Sequence, residues 1–281
     1  MNNSREIELT HNDYTVGWVC ALPTEQTASI AMLDYQHPDL PKPANDQNIY
    51  TLGSIYGHNI VVACLPMGRD GVISVATVAT QMVTTFPRIK FGVMGGDWRR
   101  IPIDAYPGVV QWDFGKAEND GTFKRTSVLN SPPKTLLPAV SKLQTRREME
   151  GFQLYKHLET MENNWLALIL DVWLTTILSL CTAIQVILAL ESGWWYPGLS
   201  GILFRMRAAG SDPNAKFWNR LNEQLGGKVL CIEMEAAGLM NKFPCTVTRG
   251  ICDYRYAATI AAATAKELLR REIPGRAKVV E

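Results

Sequence analysis

Two short runs near the end of the chain carry acids where acids are expensive. Cys231-Ile232-Glu233-Met234-Glu235-Ala236-Ala237-Gly238 sets two carboxylates around a methionine in an otherwise apolar stretch. The apolar run from Cys245 to Cys252 ends on Asp253. A buried carboxylate is costly unless a hydrogen bond or an opposite charge compensates it. Acids at the ends of apolar segments therefore point to a polar ligand or to a proton moved in a reaction. A third acid, Glu25, follows the first apolar run and Pro23-Thr24. Gly68, Gly71, Gly95 and Gly96 can bring backbone N–H groups close to a ligand. Each feature also has an ordinary use. Asp253 suits a turn or a helix N-cap, Glu25 a helix N-terminus, and one of Glu233 and Glu235 can cap the helix that follows. Glycine pairs are common in turns.

These residues need a scaffold, and the pattern around them predicts one. Tyr14 to Cys20 is β-branched, aromatic and apolar, the pattern of a buried strand. Thr24 to Leu33 reads as a helix with Thr24 as N-cap and Glu25 in its first turn. Ile49–Ile55 and Asn59–Leu65 read as a hairpin turning at Gly57-His58-Asn59. Gly71 to Phe86 reads as a helix packed on the sheet, and Lys90 to Met94 as a short strand leading to Gly95-Gly96. Arg146 to Glu162 is charged and reads as the start of a helix. Asn214–Gln224 and Glu235–Asn241 are predicted helices, Val229–Ile232 and Cys245–Cys252 strands, and Ala257–Arg271 an alanine-rich terminal helix. Strands alternating with helices imply an α/β fold: three α/β/α layers around a central, mixed, mostly parallel sheet. Asp253 then stands at the carboxyl end of a strand, where open α/β sheets bind ligands. With no internal repeat and no long linker, residues 1–281 are expected to form a single domain.

Composition narrows the function classes. Among 281 residues, 28 Lys and Arg face 27 Asp and Glu, for a formal net charge of +1. That balance, without a basic stripe, argues against nucleic acid as a partner. Cys20, Cys64, Cys181, Cys231, Cys245 and Cys252 lie mostly in apolar runs without metal-ligand spacing, so no metal is expected. They read as reduced thiols of a cytoplasmic protein. Met1 to Asp13 is polar and has no apolar core of a secretory signal. Trp165 to Leu190 is almost wholly apolar, with Asp171 its only charge, and is long enough to span a bilayer. A single span would put Glu25 and Asp253 on opposite sides of a membrane. If they share one site, the segment must instead pack as a helix or lie apart from the ancestral fold.

Glu233-Met234-Glu235-Ala236, followed by Arg249-Gly250-Ile251-Cys252-Asp253, resembles the purine nucleoside phosphorylase and nucleosidase superfamily, and in particular its fungal nucleoside-phosphorylase-like domains. Tyr14 through Glu25 resembles that family's first strand and loop. Leu65-Pro66-Met67-Gly68-Arg69-Asp70-Gly71 and Gly108 through Lys116 extend the likeness, which covers residues 14–145 and 205–270. The resemblance implies cleavage of the N-ribosidic bond of a purine-type nucleoside. Asp253 would donate a proton toward N7 of the base, making it a better leaving group. Glu233, Met234 and Glu235 would hold the ribose, since a carboxylate accepts hydrogen bonds from both hydroxyls of a diol. Glu25 would activate the attacking water. No cofactor is implied, apart from phosphate as co-substrate in a phosphorylase. Phosphorylases of this kind tend to carry phosphate-holding arginines where this chain has Pro23-Thr24-Glu25-Gln26 and Met94-Gly95-Gly96-Asp97, so hydrolysis is favoured. Arg69, Arg99 and Arg100 are the nearest candidates for an anion site. The resemblance is compatible with a homo-oligomer.

The likeness is broken in three places. Little chain separates Met94 from Gly108, which removes room for a family strand. The segment just before Ala215 that should line the base pocket reads Phe204 to Asp212, and an atypical apolar insertion, residues 160–204, precedes it. After Asp253-Tyr254 the usual polar loop is almost absent. A non-catalytic nucleoside-binding or interaction module of the same fold is the alternative these departures raise.

Overall fold

The computed structural model describes residues 9–69, 71–95, 115–117, 123–125, 129–130, 134, 136–150, 156–159, 223, 235–241, 243–248 and 254–270. The strands β1 (Val16–Cys20), β2 (Tyr35–Gln36), β3 (Tyr50–Ile55), β4 (His58–Cys64), β5 (Phe91–Gly95) and β8 (Cys245–Thr248) make one sheet in the order β2-β3-β4-β1-β5-β8. β4, β1, β5 and β8 run parallel, and β2 and β3 pair antiparallel on one side. A separate two-stranded ribbon joins β6 (Gly115–Ala117) to β7 (Phe123–Arg125). The helices are α1 (Pro23–Ala31), α2 (Val72–Thr85), α3 (Leu137–Glu150), α4 (Ala236–Leu239) and α5 (Tyr254–Leu269).

The strand period of two sorts side chains to two faces. Val16, Trp18, Cys20, Ile60, Val62 and Val93 pack with Ala28 and Met32 of α1, Ala139 of α3 and the buried length of α5. Val19, Val61, Ala63, Met94 and Val247 face the other way, onto Val75, Val78, Ala79 and Met82 of α2 and Leu239 of α4. The result is the expected three-layer α/β/α fold. Phe243 packs its ring against the sheet backbone on the α2 side. A Cβ at Gly92 would sit 1.9 Å from that ring and one at Gly17 2.7 Å, so β1 and β5 need glycine there.

Several predicted bounds shift, for identifiable reasons. The β3–β4 turn is Tyr56-Gly57 rather than residues 57–59. Both have positive φ, 48° and 76°, as a two-residue type I′ hairpin requires. Helix α1 is capped by Leu22, not Thr24, and Pro23 takes the first helical position. Helix α5 begins at Tyr254, three residues before the alanine run. The predicted elements at 214–224 and 229–232 and the segment Trp165–Leu190 lie outside the described residues, apart from Glu223. Among the described residues no helix is long and apolar enough to cross a membrane.

Charges inside the helical layer on the α5 side are paired. Lys266 Nζ donates to the Met32 carbonyl at the end of α1 (2.7 Å) and to Asp34 (2.6 Å). Glu267, buried, takes His157 Nε2 at 2.5 Å and Arg270 at 3.2 Å. The 37–49 connection is fixed by Asp46, which accepts from Tyr50 Oη (2.7 Å), Thr85 Oγ1 (2.5 Å) and the Asn48 N–H (2.9 Å).

Candidate active site

The four parallel strands end on one edge of the sheet, so the segments after Cys20, Cys64, Gly95 and Thr248 all leave from that edge. After β1 the chain turns into α1 on one face. After the neighbouring β4 it turns into α2 on the other. Open α/β sheets bind ligands outside the carboxyl ends of the strands at the point where the strand order reverses. From β1 the chain continues toward β4 and from β5 toward β8, so that crevice lies between β1 and β5. The Ala21–Glu25 segment borders it.

Glu25 is the third residue of α1 and partly buried. Its Oε2 accepts the backbone N–H groups of Ala21 (2.7 Å) and Leu22 (3.3 Å). A leucine has no side-chain acceptor for the first turn, so Glu25 reaches back and satisfies N–H groups that a helix start otherwise leaves unpaired. The carboxylate is thereby held over the end of β1. A side chain that caps its own helix this way is pre-positioned and cannot swing into solvent without losing two charge-assisted bonds.

After the neighbouring β4, on the same edge of the sheet, Pro66 to Arg69 form a turn closed by the Arg69 N–H to the Pro66 carbonyl at 3.0 Å. Gly68 and Gly71 have φ of +73° and +91°, and a Cβ on either would meet nothing within 4 Å. Their backbone borders open space, and the demand for glycine is conformational. Gly71 is the N-cap of α2, so the N–H groups of that helix's first turn open on the same side of the sheet.

Glu235, buried, is the N-cap residue of α4. Helix α4 rests on the first turn of α2: a Cβ at Gly238 would lie 2.2 Å from the Val72 carbonyl oxygen. The α2 start that follows the Gly68–Gly71 loop is thus the surface on which the Glu235 helix sits. Gly95 ends β5 and pairs with Thr248, the last residue of β8. The Thr248 hydroxyl lies within hydrogen-bond reach of the Ala261 carbonyl (3.2 Å) and the Met94 carbonyl (3.4 Å), tying β8 to α5 and β5 just before the acidic segment.

Topology therefore brings Glu25, Gly68, Gly71 and Gly95 to one edge, with Glu235 on the helix packed beside it. Asp253, Glu233, Met234 and Gly96 lie outside the described residues. Asp253 is bracketed in sequence by Thr248 and by Tyr254, where α5 begins. Arg99, Arg100 and the aromatic run Trp194-Trp195-Tyr196 also lie outside. Two residues that the sequence reading gave no role, Cys20 and Cys64, end β1 and β4 as direct partners in their register. The signal for them was available: a cysteine closes each of two apolar strands. Among the described residues no group of three His, Cys, Asp or Glu is placed to hold a metal ion.

No family model matches the chain. A protein of Hyaloscypha variabilis, described as a nucleotide-binding leucine-rich repeat (NLR)-like protein, is 38% identical over an alignment of 326 positions. That alignment covers 94% of this chain and 30% of the relative, so the chain spans under a third of its relative's length. It is longer than the 281-residue chain, so the relative carries stretches this chain lacks. Among solved structures, futalosine hydrolase of Helicobacter pylori matches with a TM-score of 0.53 at 13% identity, covering 92% of this chain and 99% of that one. The 5′-methylthioadenosine/S-adenosylhomocysteine nucleosidase of Helicobacter pylori gives 0.51 at 14%, covering 92% and 98%. The corresponding nucleosidase of Neisseria meningitidis, solved with methylthio-immucillin-A, gives 0.50 at 13%, covering 91% and 98%. At these identities the likeness is one of fold, and the fold is that of nucleosidases.

Proposed function

We propose that this chain cleaves the N-ribosidic bond of purine-type nucleosides by hydrolysis. The observation that carries this reading is Glu25, a carboxylate fixed by two backbone N–H groups at the mouth of the switch-point crevice of a nucleosidase-like fold. A fixed carboxylate there repels phosphate and accepts a proton from water. Water is the nucleophile, and Glu25 takes its proton as it adds to the ribosyl carbon. Asp253 acts at the other end of the breaking bond, protonating the purine so that the base departs neutral. Glu235, with Glu233 and Met234, holds the ribose hydroxyls and packs on the sugar, keeping the bond aligned between the two acids. The glycine loop from Gly68 to Gly71, with Gly95 and Gly96, lets the backbone approach the ligand without a Cβ in the way.

The test is base release from a panel of purine nucleosides, with and without phosphate. Release that does not depend on phosphate is the expected result. Release only in its presence makes phosphate a co-substrate and moves the nucleophile's site to Arg69, Arg99 or Arg100. A folded protein that releases no base under either condition overturns the catalytic assignment and leaves a nucleoside-binding module.

A further inference from the structure

We propose that Cys20 and Cys64 form a redox-active dithiol at the carboxyl ends of β1 and β4, closed to a disulfide by a peroxide. The two residues are direct partners in the parallel register of β1 and β4, each the last residue of its strand. Residues paired across adjacent strands project to the same face, and the strands lie about 4.8 Å apart. Disulfides bridge Cα atoms roughly 4.4–6.8 Å apart and Cβ atoms roughly 3.5–4.5 Å apart, so the register meets the Cα requirement and closure draws the two Cβ atoms together by a few tenths of an ångström or more, to about 4 Å. Both side chains pack in the same apolar layer under α1, where Cys20 Sγ lies 3.5 Å from Ser29 Oγ. Neither is bonded to another cysteine. Their exposure is unequal: Cys20 is buried and Cys64 half-buried. Cys64 is therefore the more accessible of the two to an oxidant.

The reaction balances with peroxide as oxidant. The Cys64 thiolate attacks one peroxide oxygen, becoming a sulfenic acid, and one water leaves. The Cys20 thiol then attacks the Cys64 sulfur, an S–S bond forms and the sulfenic hydroxyl departs as a second water. The two sulfurs supply the two electrons that reduce the peroxide, and both thiol protons end in water.

Burial, with the Glu25 charge second, slows the first step. Burial, and then the Glu25 charge, push the Cys64 thiol up to about 11, and burial holds Cys20 well above the ordinary thiol range. The nucleophilic thiolate is therefore scarce while Glu25 is ionised. Removing that charge should speed the first step. Once formed, the bond joins the roots of the Ala21–Glu25 and Leu65–Gly71 segments.

The experiment is peroxide treatment of the whole chain followed by peptide mapping without reductant. The expected result is a linked Cys20–Cys64 peptide, lighter by two hydrogen atoms than its parts and released by dithiothreitol. Cys20→Ser should lose that peptide and carry Cys64 on to irreversible acids. Glu25→Gln should raise the rate of Cys64 alkylation several-fold in native protein, a readout that does not require the disulfide to form. Wild-type Cys64 over-oxidised with Cys20 still a thiol, linked to another cysteine, or unreacted would overturn the proposal. None of these readouts depends on nucleoside cleavage.

Discussion

At the scale of single residues, the proposed chemistry rests on where two carboxylates are held. Glu25 was legible from sequence as an acid in a first helical turn. Its capping of Ala21 and Leu22 was not, because the cap is missing from the position where capping residues are sought. Thr24 looked like the N-cap; Pro23 at the first helical position displaces that role onto Leu22 and then onto Glu25. Glu235 was legible as an acid before a helix, and its burial fits an acid with work to do. On the proposed mechanism, Asp253→Asn keeps the shape and removes the proton. Base release should fall by about 10²- to 10⁴-fold, with cooperative unfolding by circular dichroism retained. Turnover near the wild-type rate in that variant would remove Asp253 from the reaction.

At the scale of elements, both faces of the sheet are packed by apolar side chains, and the α5 side adds ionic pairs. Phe243 is 1% exposed and packs on Gly17 and Gly92, spanning the two central strands from the α2 side. Phe243→Ala should cost about 3–5 kcal/mol, measured as a drop in the urea midpoint with little change in slope. On the other face Glu267 joins α5 to His157. Burial raises its carboxyl, but the hydrogen bond and charge of His157, with Arg270, outweigh that and leave it below the ordinary value. A depressed acid stabilises the fold above its unfolded value of about 4.3, and that contribution disappears as pH falls through the folded value. The wild-type urea midpoint should therefore decline more steeply below about pH 4 than that of Glu267→Gln. Parallel declines would mean that the buried pair adds nothing. The hairpin between β3 and β4 shows why element bounds were harder to read than the elements themselves. Tyr56 takes a left-handed conformation that its residue type does not advertise, so the turn was placed one residue late.

At the scale of the whole molecule, the alternation of strands and helices made the layers legible, and the sheet order was not. Period and turn residues report what each segment is. They do not report that β1 lies between β4 and β5, or that β8 docks beside β5. Those neighbours are chosen by burial across long stretches of chain. The pairing of Cys20 with Cys64 follows from that order, so a linear reading does not show it. The same order bears on how the molecule comes into being. The Thr248 hydroxyl reaches a carbonyl 154 residues earlier in the chain, and Lys266 reaches one 234 residues earlier. A chain emerging from the ribosome makes β5 long before the strand that covers it, and α1 long before the helix that clamps its end. Through most of synthesis one flank of the sheet and the underside of α1 stay uncovered, offering apolar surface and unpaired strand edge to any neighbour. Closure over such separations is slow, which lengthens the interval in which that surface stays exposed.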